Sequence, residues 1–205
     1  TYNEKENLPI IVYLIFEMAQ KHNYDFEIII IDNDSRDGTA KIAETLMKNY
    51  PEKIYLHKIS RKLGKLDLGS TYIDGLKFAK GNFIVIMDAD LEHHPKYLPE
   101  FIEKQIKTNA DIVNGSRYLR NGSVYRWTWM RKLVGKGANF GASFVLGSPC
   151  SDSTGRFRLY RKEVLERIIK EVVSKGYAFQ MEMVMRAKSY GYKIEEVKIM
   201  RIVDC

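Results

Sequence analysis

Four consecutive isoleucines, Ile28 to Ile31, bracketed by Glu27 and Asp32, constrain this chain more than any other feature. Side chains alternate between the two faces of a strand, so an uninterrupted apolar run leaves neither face for water. Such a strand belongs in a parallel sheet covered by helices on both sides. Phe83 to Met87 repeats the pattern, and Ile54 to Ile59 and Asp111 to Asn114 are further strand candidates. Amphipathic stretches separate them: Pro9 to Gln20, Thr39 to Asn49, Ser70 to Ala79 and Pro95 to Thr108. In the last, Leu98, Phe101, Ile102, Gln105 and Ile106 keep helical spacing. The alternation predicts βαβ units and an α/β fold, an open, mostly parallel sheet between helices.

The second half changes pattern. Tyr125 to Leu146 reads as one long helix, Arg156 to Tyr160 as a short strand, and two further helices begin near Arg161 and Phe179. With 205 residues, 45% of them apolar, one globular domain is expected. No apolar run approaches the roughly 20 residues of a membrane span, so the chain reads as soluble or peripheral. Its formal charge of +7 favours anionic partners. Cys150 and Cys205 form no disulfide framework and lack metal-ligand spacing, which points to a reducing, cytosol-facing site. The chain opens at Thr1 without a methionine and stops at Cys205, directly after the strand-like Lys193 to Val203, and both ends read as truncated.

In open parallel sheets, ligands bind beyond the carboxyl ends of the strands. Two apolar runs end there in acids. The first leads into Asp32-Asn33-Asp34-Ser35-Arg36-Asp37-Gly38-Thr39, a polar turn that offers acceptors to a base or ribose and equally serves as an ordinary helix N-cap. The second leads into Asp88-Ala89-Asp90-Leu91-Glu92-His93-His94. Acids at alternate positions point the same way in extended chain, and hard oxygen ligands suit Mg²⁺ or Mn²⁺ bridging two phosphates. Three acids in five residues would repel one another without a cation. His93 and His94, before Pro95, read as loop packing and capping residues. Arg117, Arg131, Lys132, Arg156 and Arg158 are candidates for phosphate, and Arg117 stands out because it ends the strand beginning at Asp111. Trp127 and Trp129, beside basic residues, mark either a membrane-facing helix or core.

The motifs converge: Thr1-Tyr2-Asn3-Glu4-Lys5-Glu6-Asn7-Leu8, Asp88-Ala89-Asp90 with His93-His94-Pro95, Gly115-Ser116-Arg117-Tyr118, and Ser151-Asp152-Ser153-Thr154-Gly155-Arg156-Phe157-Arg158-Leu159-Tyr160-Arg161. Together with Arg131-Lys132, Gly137-Ala138-Asn139-Phe140 and the late Gly176 to Met183, they resemble the dolichol-phosphate mannosyltransferase family over essentially the whole chain. The resemblance implies a GT-A type nucleotide-diphospho-sugar transferase fold, here lacking its first strand. It also implies transfer of mannose from GDP-mannose to dolichyl phosphate, for protein glycosylation and GPI anchor synthesis. The site would be the cytosolic face of the endoplasmic reticulum membrane, with small membrane-anchoring subunits as partners. By position, Tyr2, Glu4, Ile31 and Asn33 match residues that hold the guanosine. Asp88, Ala89 and Asp90 match the diphosphate segment, Asp88, Asp90 and Glu92 the metal positions for Mg²⁺ or Mn²⁺. Arg117 and Arg131 match residues near the phosphates, and Asp152 falls in a Ser-Asp motif near the reacting centre. Asp90, Arg117 and Asp152 are the catalytic candidates. Residues 1–117 then form a nucleotide-binding half and 118–205 an acceptor-binding half.

A phosphate monoester is already anionic near neutral pH, so such an acceptor needs no strong general base, and one in-line displacement with inversion is expected. The chain departs from the family pattern at Asn33, usually Asp, and at Asp34, usually Gly. Lys65-Leu66-Asp67 reads as an insertion, and Gly135 stands where Ser is usual. Alternative readings are a dolichyl-phosphate glucosyltransferase using UDP-glucose and a catalytically silent sugar-nucleotide-binding homologue. A nucleic-acid binder is disfavoured, because the acids cluster where a phosphate backbone would need positive charge.

Overall fold

A computed structural model describes residues 1–59, 68–119, 150–174 and 176–200. These form two compact units: Thr1–Asn82 with Asp88–Leu98, and Phe83–Met87 with Pro99–Cys205.

The first unit is built on the isoleucine run. Strand β1 (Ile28–Asp32) pairs in parallel with β2 (Ile54–Lys58), in a register running from Ile28 opposite Ile54 to Asp32 opposite Lys58. Parallel neighbours need a crossover, and helix α2 (Thr39–Asn49) supplies it. Helix α1 (Asn7–His22) buries Leu8, Ile11, Val12 and Ala19, the spacing of one helix face. It stops at Asn23, whose left-handed backbone (φ 53°) turns its N–H back onto the carbonyls of Ala19 and Gln20. Lys21 and His22 in the last turn complement the negative end of the helix dipole. Helix α3 (Leu68–Leu76) packs on β1, where a Cβ on Gly75 would stand 3.4 Å from the Ile31 side chain.

The second unit holds strands β3 (Phe83–Ile86), β4 (Ile112–Ser116), β5 (Arg158–Arg161) and β6 (Ile194–Lys198) in the order β3-β5-β4-β6. β4 and β6 are parallel, and β5 runs antiparallel to both its neighbours. The expected α/β fold is therefore present, with β5 as the strand that reverses direction. Helices α4 (Leu98–Thr108), α5 (Lys162–Ile169) and α6 (Tyr177–Ser189) supply the apolar cover. Phe101, Phe157, Ile112, Val113, Leu159, Leu165, Ile168, Phe179 and Met183 are almost wholly buried, and the Phe101 and Phe157 rings meet at 4.6 Å.

Arg158 sits at the centre of this core with no exposed surface. Its Nε donates to Asn114 Oδ1 (2.8 Å), and its terminal nitrogens donate to the carbonyls of Ser153 (2.8 Å) and Gln180 (3.0 Å). It is thus an internal crosslink, and its reading as a candidate phosphate ligand is corrected. A guanidinium is tolerated there because its planar fork finds several fixed acceptors. No helix among the described residues is long and apolar enough to cross a membrane.

Candidate active site

In the first unit, the chain ahead of α1 is stitched onto the turn that follows β1. The backbone of Thr1 donates to the Ile31 carbonyl at 2.7 Å and accepts from Asn33 N–H at 3.0 Å, extending the parallel pattern on that edge of β1. Asn3 N–H donates to Ser35 Oγ (2.9 Å), Glu4 N–H to Thr39 Oγ1 (2.9 Å) and Lys5 N–H to Asp37 (3.1 Å). Arg36 N–H returns a bond to Asn3 Oδ1 at 2.9 Å. Asp37 also takes the backbone N–H and hydroxyl of Thr39, and these bonds hold its carboxyl below the usual carboxylate range. Four sequence candidates, Tyr2, Glu4, Ile31 and Asn33, are gathered in this way. Tyr2 is 42% exposed. Asp32 Oδ1 and Asn33 Oδ1 are buried without a hydrogen-bond partner. Orphaned buried acceptors are rare and costly, which marks this strand end as a place where a ligand's N–H groups would be welcome.

Asp34 has φ of 61°, so it adopts the left-handed conformation that glycine takes most easily. Asp is among the few other residues that reach it at modest cost. The Asp at this position therefore keeps the turn that its Gly equivalent would make.

Also in the first unit, residues 88–94 form a second tight turn. His93 Nδ1 accepts the Asp88 N–H at 3.0 Å, Glu92 N–H donates to Asp90 Oδ1 at 3.1 Å, and Leu91 is left-handed with φ of 61°. Both histidines act on the backbone: His94 Nδ1 accepts the Lys96 N–H and caps the short 3₁₀ turn Pro95–Tyr97. Burial and the Lys96 charge lower the His94 pKa. Asp88, Ala89, Asp90 and Glu92 are all half-buried. Among the described residues, no three His, Cys, Asp or Glu side chains are gathered into a set placed to hold a metal ion.

In the second unit, Arg117 follows β4 directly and grips Asp152. Its Nε donates to Asp152 Oδ2 at 2.6 Å and its NH2 to Oδ1 at 2.8 Å, a bidentate fork on a carboxylate with no exposed surface. NH2 also donates to Thr154 Oγ1 at 3.0 Å. Burial works to raise the Asp152 pKa, but the hydrogen bonds and charge of Arg117 outweigh it and hold the carboxyl below its ordinary value. The structure thus joins two of the three catalytic candidates. It also reveals two supports that the motifs did not single out, Asn114 and Glu196. Asn114 Nδ2 donates to the Asp152 carbonyl (2.8 Å), and Glu196 accepts from Ser151 N–H and Oγ, both at 3.0 Å. A polar Asn-Gly-Ser sequence inside an otherwise apolar strand was the available signal. Cys150 is buried. Arg131, Lys132, Trp127, Trp129, Gly135, the Lys65-Leu66-Asp67 segment, Cys205 and the helix expected over residues 125–146 lie outside the described residues.

The family model for glycosyl transferase family 2 matches residues 1–169. A polyprenol monophosphomannose synthase of Mycolicibacterium smegmatis is 36% identical over 203 residues, 97% of this chain and 74% of that protein. A dolichol-phosphate mannosyltransferase of Pyrococcus furiosus is 38% identical over 190 residues, 92% of this chain, which spans only 51% of that relative. Among solved structures, mannosyl-3-phosphoglycerate synthase from Rubrobacter xylanophilus superposes with a TM-score of 0.73 at 17% identity, covering 100% of this chain and 64% of that one. A mannosyltransferase from Pyrobaculum calidifontis, solved with GDP-Man and Mn²⁺, gives 0.64 at 19% identity, covering 100% and 55%. At these identities the structural likeness speaks to the fold.

Proposed function

Because the chain belongs to glycosyl transferase family 2, we propose that it transfers mannose from GDP-mannose to a polyprenyl phosphate of the dolichyl class. The observation that carries this reading is the half-buried turn Asp88-Ala89-Asp90-Leu91-Glu92, held by His93 and by its own Asp90 carboxylate, in a chain 36% identical to a polyprenol monophosphomannose synthase.

The turn's donors are oxygen atoms only, the set that Mg²⁺ or Mn²⁺ prefers. One or two carboxylates are enough where diphosphate oxygens and water complete the shell. Asp88 and Asp90 would hold that ion, which when bound would neutralise charge on the departing diphosphate, and Glu92, not gathered with them as a third ligand, matches a metal position by family only. The remaining work belongs to the chain. Asp32 Oδ1 and Asn33 Oδ1, both buried and unpartnered, take N–H groups of the base. Guanine presents N1–H and an amino group to two such acceptors, whereas uracil presents a single N–H, which favours GDP over UDP. Tyr2 and Glu4 match by family position residues that also hold the guanosine. Arg117, fixed by its bidentate grip on Asp152, meets phosphate charge, and Arg131 matches by family position a second residue that does so. The acceptor phosphate attacks the anomeric carbon as an anion, the bond to the GDP oxygen breaks, and the configuration inverts. A polyprenyl acceptor puts the enzyme at a membrane surface, which its +7 charge suits where lipids are anionic. The cytosolic face of the endoplasmic reticulum, small anchoring subunits, and a role in protein glycosylation and GPI anchor synthesis belong to the same reading.

The test is mannose transfer by the full-length protein from GDP-mannose to a polyprenyl phosphate, with and without divalent cation. Transfer that chelator abolishes, with Asp90→Ala losing about 100-fold or more, is expected. Undiminished transfer in excess chelator, or transfer from UDP-glucose in preference to GDP-mannose, would overturn it.

A further inference from the structure

We infer that Asp152 is a positioning residue, a saturated carboxylate clamp that holds the Arg117 guanidinium in one orientation toward phosphate and takes no proton during the reaction. This rests on the reading above, in which Arg117 meets a phosphate.

The saturation is direct. Oδ2 accepts from Arg117 Nε (2.6 Å) and from Arg117 backbone N–H (3.3 Å). Oδ1 accepts from Arg117 NH2 (2.8 Å), Thr154 Oγ1 (3.1 Å) and Gly155 N–H (3.1 Å). A carboxylate has about four lone-pair sites, so these donors leave none to meet a substrate proton. A general base must have a lone pair within hydrogen-bond reach of the proton it takes, and Asp152 is wholly enclosed.

The clamp cannot swing away, because its loop is pinned from three strands. From β4, Asn114 Nδ2 holds the Asp152 carbonyl at 2.8 Å, and Ser116 Oγ meets Ser151 Oγ at 2.5 Å. From β5, Arg158 NH2 donates to the Ser153 carbonyl at 2.8 Å, and from β6, Glu196 takes Ser151 N–H at 3.0 Å. A Cβ on Gly155 would stand 3.2 Å from the Gly115 carbonyl and 3.5 Å from the Asp152 carboxyl carbon, so the glycine closes the seat tightly. An Arg fork fixed by two parallel bonds is already ordered before phosphate arrives, which is how orientation lowers a barrier. A phosphate acceptor, already ionised, has no need of the base that Asp152 would otherwise supply.

The test is a double-mutant cycle in the full-length protein on Asp152→Asn and Arg117→Ala, read on mannose transfer and on binding of inorganic pyrophosphate. An Asn amide would turn one donor toward the Arg117 donors and break the fork. Each single variant is expected to lose about 100-fold in kcat/KM, and the double variant to be no worse than Arg117→Ala within about threefold, because Asp152 acts through Arg117. The residual activity of Asp152→Asn keeps the wild-type pH profile and is not restored by acetate or azide. Losses that multiply in the double variant, a vanished limb of the pH profile, or rescue by acetate would overturn the clamp. If Asp152→Asn shows no cooperative melting transition, Thr154→Val, which removes one shared partner of the fork, replaces it in the same cycle. Pyrophosphate binding that keeps the non-multiplying pattern while the wild type fails to transfer mannose would defeat the proposed function and leave the clamp standing.

Discussion

At the residue scale, the most consequential side chain outside the fork is Arg158. Replacing it with Met would leave Asn114 Oδ1 and the Ser153 and Gln180 carbonyls facing apolar groups. Each unsatisfied buried acceptor costs about 1–3 kcal/mol. Arg158→Met should therefore lose about 3 kcal/mol or more in denaturant unfolding, and a loss under about 1 kcal/mol would show the crosslink to be dispensable. Asp34→Gly should be neutral or stabilising by up to about 1 kcal/mol in thermal melts, since it relieves a left-handed non-glycine residue. The sequence made the acids at Asp88 and Asp90 and the polar turn at Asn33 easy to find, because each ends an apolar run. It concealed Arg158, whose charge reads as surface until its partners, 44 residues away at Asn114 and 22 away at Gln180, are known. The Arg117 fork is equally non-local, spanning 35 residues.

At the scale of elements, the hydrophobic period located nearly every helix and strand, α2 and the start of β2 to the residue. The order of strands was not legible. Nothing in the four residues of β5 says that they insert antiparallel between β3 and β4, because that choice is set by packing between segments far apart in the chain. β4 is packed so tightly against α4 and the chain entering β5 that a Cβ on Gly115 would stand 2.9 Å from the Phe101 ring and 3.0 Å from the Phe157 carbonyl. Gly115→Ala is therefore expected to cost about 1–3 kcal/mol through overpacking, and because Arg117 is two residues on, transfer activity should fall further than stability alone explains. Comparison of melting temperature with specific activity checks both parts.

At the scale of the whole molecule, acid sensitivity follows from carboxylates whose pKa is lowered on folding. Glu182 is pulled down to about 2: burial opposes its ionisation, but hydrogen bonds from Ser174 and Val173 and the Arg186 partner prevail. Asp152 is lowered by Arg117 against its burial. A group with a lower pKa folded than unfolded binds its proton more readily when unfolded. The stability these groups contribute is therefore fully present above about pH 5 and lost progressively below it, the Glu182 share being exhausted near pH 2. Melting temperatures taken between pH 6 and pH 2 should fall, and Glu182→Gln should make the fall between about pH 4.5 and pH 2 shallower. If the variant tracks the wild type throughout, the Glu182 contribution is absent.

The strand order of the second unit has a consequence for how the chain is made. Residues of β4 leave the ribosome long before either neighbour exists: Asn114 waits for Arg158, and Ile112 for Ile194. Throughout that interval, a segment destined to be fully buried presents both of its hydrogen-bonding edges to solvent. The β3 segment waits for β5 as well. The first unit's β1 and β2, by contrast, are synthesised within 31 residues of each other and pair early. Vectorial synthesis thus imposes a window in which a chaperone that grips extended apolar chain has β4 to itself, and slowing translation after residue 116 would lengthen that window.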